Sequence, residues 1–216
     1  MAIEISSLYE RDVSAGAWST YITIPPGKSN CALMMFFSSR YIDPINITVT
    51  CDGISVPRIS ATTEAGYGTS SLFGIKDLSS GTYRIAIQSS TVHHHFTQIY
   101  GVYDTLGWVT SNMIAEKLIY GVFTKTLNIE DGALYVEHTY TEHGSVSLPV
   151  VAGSSQTILD TMQTSRIFYK TGITKGSYTS SLTYPSSTQS QGATYIGVEF
   201  IDTTLDGYMF RGGCFG

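Results

Sequence analysis

Apolar and polar positions alternate with a period of two along most of this chain, in short runs rich in β-branched and aromatic side chains. That is the periodicity of half-buried antiparallel strands. In "TYRIAIQ", Tyr83, Ile85 and Ile87 share one face, and Arg84 and Gln88 take the other. Gly, Pro, Ser and Asp punctuate the runs. The pattern predicts strands at 21–24, 32–37, 45–51, 70–75, 82–87 and 98–103. A second series is predicted at 118–127, 133–140, 145–151, 166–170, 177–184 and 194–201. Short helical turns are expected at 110–116 and 157–163, and no long 3.6-residue stripe is present.

Set side by side, the two series read as copies. "NCALMMFF" matches "DGALYVEH", and "VTCDGIS" matches "PVVAGSS" through Gly53 and Gly153. "SSLFGIKDLSSGTY" matches "SRIFYKTGITKGSY", aligning Gly81 with Gly176 and Tyr83 with Tyr178. "QIYGVYDT" matches "TYIGVEFIDT" through Gly101 and Gly197. Four matches in order, at a near-constant spacing of about 100 residues, indicate an internal duplication. The expected fold is all-β: two tandem antiparallel β-sandwiches, jelly-roll or immunoglobulin-like. The expected boundaries are an N-terminal arm over 1–17, a first sandwich over 18–106, a linker and second sandwich over 107–204, and an apolar tail over 205–216. Trp108 is expected as a plug between the two units.

Composition narrows the function. Hydrophobic residues make up 42% of the chain, enough for a sizeable core, while charged residues make up only 13%, about half the usual ~25%. Solubility therefore rests on Ser, Thr, Gly and Tyr, as in chains that pack into assemblies. A net charge of −5, with Lys and Arg thinly spread, excludes nucleic acid as the main partner. The longest apolar run, Ala32–Phe37, falls far short of the ~20 residues that cross a bilayer, so no membrane partner is expected. "MAIEISSLYERD" lacks the form of a secretory signal, so synthesis in a host cytoplasm and use without export by the general secretory route are expected. Cys31, Cys51 and Cys214 show no metal-type spacing. Cys31 and Cys51 are expected as buried reduced thiols, with a cross-strand disulfide as the alternative.

Several motifs invite chemistry. Gly27-Lys28-Ser29 resembles the end of a phosphate loop, but the first glycine of that loop would fall on Ile22. Pro25 and Pro26 remove backbone donors, and a strand follows in place of a helix. The segment is read as a turn, with no nucleotide. His93-His94-His95 could hold a metal only with a loop distortion, because neighbours on a strand point to opposite faces, and no Cys or acid completes a set. His138 and His143 could be drawn with Ser145 or Asp160 as a base and nucleophile, yet no nucleophile turn supports the drawing. Glu137, Glu142, Glu199 and Asp202 are the acids open to a glycosidase-type pairing. No catalytic, cofactor or metal residue is assigned, and the protein is expected not to be an enzyme. Asn46-Ile47-Thr48 is a glycosylation triplet of the kind that arises by chance.

The chain ends carry the remaining signal. Ile3, Ile5, Leu8 and Tyr9 in "IEISSLYERD", and Tyr208, Met209, Phe210 and Phe215 in "TTLDGYMFRGGCFG", lie outside the repeated unit. Such side chains either fold back on their own domain or anchor an interface. They are the candidate interface residues.

The plan "IPPG-x-S-N-x-AL" (Ile24–Leu33), Gly53, "L-x-SGTY-x-I" (Leu78–Ile85) and "YGV" (Tyr100–Val102) resembles small β-sandwich proteins of tailed-phage virions that decorate capsids or form head fibres. The resemblance covers the first copy well. The second copy keeps "AL", "GSY" and "IGV" but lacks the Pro-Pro turn. The resemblance implies a capsid decoration or cement protein on the virion exterior, with the major capsid protein and further copies of itself as partners, a trimer being favoured. The alternative is a glycan-binding head-fibre or tail adhesion module using Trp108, Tyr41 and Tyr67.

Overall fold

The computed structural model describes residues 3–14, 16–39, 47–64, 68–89, 94–118, 121–141, 151–152, 157–161, 165–184 and 193–202. Among these the regular elements are all strands. The first nine are β1 (Glu4–Ser14), β2 (Ala17–Ile24), β3 (Cys31–Ser39), β4 (Ile47–Cys51), β5 (Ile54–Val56), β6 (Arg58–Glu64), β7 (Gly68–Leu78), β8 (Gly81–Ser89) and β9 (His94–Tyr103). Eight more follow: β10 (Thr105–Leu118), β11 (Gly121–Ile129), β12 (Ala133–Thr141), β13 (Val151–Ala152), β14 (Thr157–Thr161), β15 (Ser165–Ile173), β16 (Gly176–Tyr184) and β17 (Ala193–Asp202).

They form four sheets whose pairings are antiparallel. Two are five-stranded, ordered β1-β9-β3-β7-β6 and β10-β17-β12-β15-β14. The other two are ordered β2-β8-β4-β5 and β11-β16-β13. The five-stranded sheets follow one plan. Each has a bulge on the strand beside its central strand: β7 places three steps (Ile75–Leu78) against two of β3, and β15 three (Lys170–Ile173) against two of β12, with Asp77 and Gly172 at positive φ in the extra steps. Each has another on its edge strand beside a phenylalanine, Phe73 in β7 and Phe168 in β15.

The sheets stack as four layers. Cys31, Leu33, Met35, Phe37 and Phe73 meet Ile22, Val49, Ile85 and Ile87 of the four-stranded sheet. On the opposite face of the same strands, Ala32, Met34, Phe36, Leu72, Tyr100 and Val102 meet Leu134, Val136, Ile167, Ile196, Val198 and Phe200 of the other five-stranded sheet. Behind that sheet, Ala133, Tyr135 and Ile173 pack on Ile129 and Tyr178. The five-stranded sheets therefore bury both faces, and β3 is buried at every position. Strands covered on both sides read as continuous apolar runs, which is why "CALMMFF" shows no alternation.

Turn chemistry follows the residues. Asp52 and Gly53, joining β4 to β5, both hold positive φ (48° and 83°), as a two-residue hairpin turn requires. Asp52 accepts the Arg84 backbone N–H at 2.7 Å. "PPGKSN" is the turn between β2 and β3, closed by Lys28 N–H on the Pro25 carbonyl.

Several expectations are corrected. Residues 4–14, expected as an arm outside the first unit, form β1, the edge strand that pairs with β9. The segments expected as helical turns fall in strand β10 and, over 157–161, in strand β14; residues 162–163 lie outside the described residues. β10 holds the same place in its sheet that β1 holds in the other, so the chain passes between halves at Asp104 with no linker. The period-two signal of β10 was lost because its register with β17 shifts between Val109 and Ile114, and a bulge breaks alternation. The "AL" match is one residue out of step. Leu33 points into the first core and Leu134 into the contact between the five-stranded sheets, because a one-residue slip reverses every side chain.

Candidate functional site

The groups most capable of chemistry are collected in buried polar clusters. The first crosses the contact between the five-stranded sheets. His138 on β12 is fully buried and stacks on Phe36 of β3, ring centroids 4.5 Å apart at 10°. Its Nε2 lies 2.9 Å from Ser165 Oγ and 3.4 Å from Ser38 Oγ. Ser165 donates to Gln98 Oε1 at 2.6 Å, and Gln98 Nε2 donates to the Tyr100 hydroxyl at 3.0 Å. Ser165 spends its single proton on Gln98, so Nε2 carries the imidazole hydrogen and donates to Ser165. Nδ1 is buried without a hydrogen-bond partner. Ser38 also bonds Ser70, which reaches Thr194 on the facing sheet. Burial holds the His138 pKa down at about 3; a proton on Nδ1 would meet no acceptor.

This arrangement differs from a catalytic pair. The serine beside His138 is Ser165, not Ser145 as drawn from sequence, and its proton goes to an amide. Among the described residues no acid orients Nδ1, and the ring is fully buried. Ser145 and His143 lie outside the described residues, and the side chain of Asp160 does too.

The second cluster lies behind β12. Glu137 is fully buried, and its Oε1 accepts from Ser180 and from the Tyr195 hydroxyl, the latter at 2.8 Å. Tyr135 donates onward to Tyr195 at 3.3 Å. Burial pushes both phenols well above their ordinary value. Gly197 makes room for this: a Cβ there would sit 2.1 Å from the Tyr135 hydroxyl and 2.7 Å from that of Tyr195. The third cluster is Glu199, also buried, which accepts the Glu130 backbone N–H at 2.8 Å and the Asn112 amide. It ties β17 to β10 and to the turn before β12. Glu137 and Glu199 thus serve as hydrogen-bond acceptors inside the stack. Glu142 lies outside the described residues, as does the side chain of Asp202.

The candidate interface residues are placed as follows. Ile3 is buried between the five-stranded sheets, with Ile5 packed against the same cluster. Leu8 and Tyr9 pack on the first core, and Tyr9 stacks on Trp18 at 5.4 Å. All four fold back on their own chain, because β1 is an integral strand whose alternate positions face its own core. Tyr208, Met209, Phe210 and Phe215 lie outside the described residues. Trp108 fills the space over Gly74, where a Cβ would come within 3.0 Å of its ring. It packs in the contact between the sheets, as a plug would, and Tyr41 and Tyr67 lie outside the described residues. The side chains of His93, His94 and His95 do too. Among the described residues no cluster of His, Cys, Asp and Glu could hold a metal ion. Cys31 and Cys51 are free and buried. They sit in different sheets, and burial pushes the Cys51 thiol up to about 11.

No family model matches the chain. No curated protein matches it either. Among solved structures the chain is similar to the crystal structure of the major capsid protein P2 from Bacteriophage PM2, at 11% identity and a TM-score of 0.29, covering 95% of this chain and 100% of that one. At that TM-score the likeness carries no argument about this chain.

Proposed function

We propose that this chain is a non-enzymatic structural protein of a phage virion, built as two tandem β-sandwiches from an internal duplication. In this reading it decorates the capsid exterior, binding the major capsid protein and further copies of itself across joints in the shell. The duplication is supported by the shared strand order and the paired bulges of the five-stranded sheets. The observation that carries the functional reading is the fate of the reactive groups. His138, Ser165, Glu137 and Glu199 are all buried and spent on hydrogen bonds within the layers. Outward, the sheets offer hydroxyl rows such as Thr23 with Thr82 and Thr126 with Thr179, each pair 3.1 Å apart. Outer faces that are hydroxyl-rich and sparsely charged, with Arg84 among the exceptions, suit packing against neighbours, where a standard contact buries ~1,600 Å². The test is to incubate the purified protein with shells lacking it and sediment them. Co-sedimentation at a fixed ratio of copies to capsid protein is expected; its absence at micromolar protein overturns the shell-binding reading.

A further inference from the structure

Four sheets present eight edge strands among the described residues, and most of them are guarded. β1, β6, β10 and β14 carry register shifts and charged residues. β5 and β13 span three and two residues. β11 carries Lys125, which pairs with Glu116 at 2.5 Å. β2 differs. Its eight residues, "AWSTYITI", hold no charge and no proline, and pair with β8 in unbroken register. Ala17, Ser19, Tyr21 and Thr23 are exposed, and Tyr21 is 69% exposed. A long, unbulged, uncharged edge is a template for another strand, and proteins that stay monomeric normally blunt it.

We infer that β2 is a self-association edge, pairing antiparallel with β2 of a second copy to join two four-stranded sheets into one. Register fits a second copy as the occupant. With Tyr21 opposite Tyr21, Ser19 meets Thr23 and Thr20 meets Ile22. Every exposed residue then faces an exposed one, and every core-facing residue a core-facing one, so the alternation runs unbroken across the joint. Charge agrees: two copies of a chain of net charge −5 meet along a neutral strip. The nearest charge is Arg84, cross-strand from Tyr21, placed to cover the tyrosine pair. The edge supplies about one backbone hydrogen bond per paired residue, and aromatic and Thr pairs across the joint add to them. This sharpens the self-association part of the proposed function and stands on the edge strand alone, so failure of shell binding leaves it intact.

The test is solution mass by light scattering on the full chain at about 1 to 100 µM, for wild type, the Ser19→Lys/Tyr21→Lys double variant and a Thr126→Lys control on β11. Wild type and control are expected as dimers, and the double variant as a folded monomer with an unchanged circular dichroism spectrum and at least tenfold weaker association. A wild-type monomer overturns the inference, as does a dimer or trimer that the double variant leaves intact. Fast hydrogen exchange of β2 amides in the double variant, slowed in wild type, is expected. Equal protection in both would mean the chain's own segment covers the edge, and would also overturn it.

Discussion

Behind β3, Leu33, Met35, Phe37, Val49 and Ile85 make a core of hydrocarbon and sulfur. The matching space behind β12 holds Tyr135, Glu137, Tyr178, Ser180 and Tyr195. Register makes the comparison specific. Met35 stands opposite Phe73 and Ile99, while Glu137 stands opposite Phe168 and Gly197. One strand plan thus accepts either non-directional packing or a hydrogen-bonded carboxyl with tyrosines. The two solutions fail differently. An apolar core tolerates a swap of similar volume, whereas a buried network punishes the loss of any member, because the survivors keep their desolvation cost.

The sharpest way to break the comparison is Gly197→Ala. Its Cβ would lie 2.1 Å from the hydroxyl of a tyrosine that is wholly buried and cannot retreat. A loss of about 3 kcal/mol or more in denaturant unfolding is expected. Gly101→Ala, 2.5 Å from the Tyr103 hydroxyl, should cost less, because that hydroxyl bonds the part-buried Ser6 and not a second fully buried phenol. Next is the paired exchange at the equivalent positions. Glu137→Met should cost about 3 kcal/mol by orphaning Tyr195 and Ser180, and Met35→Leu under about 1.5 kcal/mol, both read by chemical denaturation.

Acidification sharpens the role of the seam between the five-stranded sheets. Unfolded, His138 binds a proton near its ordinary 6.5; folded, it stays neutral until about 3. Between those values the unfolded chain holds more protons, so stability present above pH 6.5 falls as pH drops toward 3. Wild type should lose about 2 kcal/mol more than His138→Phe between pH 6.5 and 4.5, measured by urea midpoints at each pH. The smallest effect is expected at the surface: Lys125→Gln, which breaks the part-exposed pair with Glu116, should change stability by less than about 1 kcal/mol.

The legibility of the fold in the sequence varied with burial. The match of "SSLFGIKDLSSGTY" with "SRIFYKTGITKGSY" is in true register. Leu72 and Ile167 enter the contact between the five-stranded sheets, Phe73 and Phe168 turn the other way, and Gly81 and Gly176 open β8 and β16. Turn glycines and a solvent-facing side pin such strands. β3 and β12 offer neither: covered on both faces, they carry no polar row to set the phase, and the "AL" match slipped by one. β1 reads as an arm in sequence because its charged residues lie on a sheet edge, where they guard the strand while Ile3, Ile5, Leu8 and Tyr9 reach the cores. The polar clusters had no local signature. His138, Ser165 and Gln98 come from three distant strands, and only pairing brings them together. A Glu-His pair following directly on the apolar run Ala133–Val136 was the available hint that both side chains are sealed inside.

The corner at Asp104 has a consequence for any attempt to take the protein apart. One residue at positive φ turns β9 into β10, so a protease finds no tether to clip and a truncation no natural place to stop. A fragment ending there would bare a slab bearing Ala32, Met34, Phe36, Leu72, Tyr100 and Val102, a surface that glues itself to the nearest oily neighbour. The two five-stranded sheets share one plan, and each serves as the other's cover, like the two boards of one book.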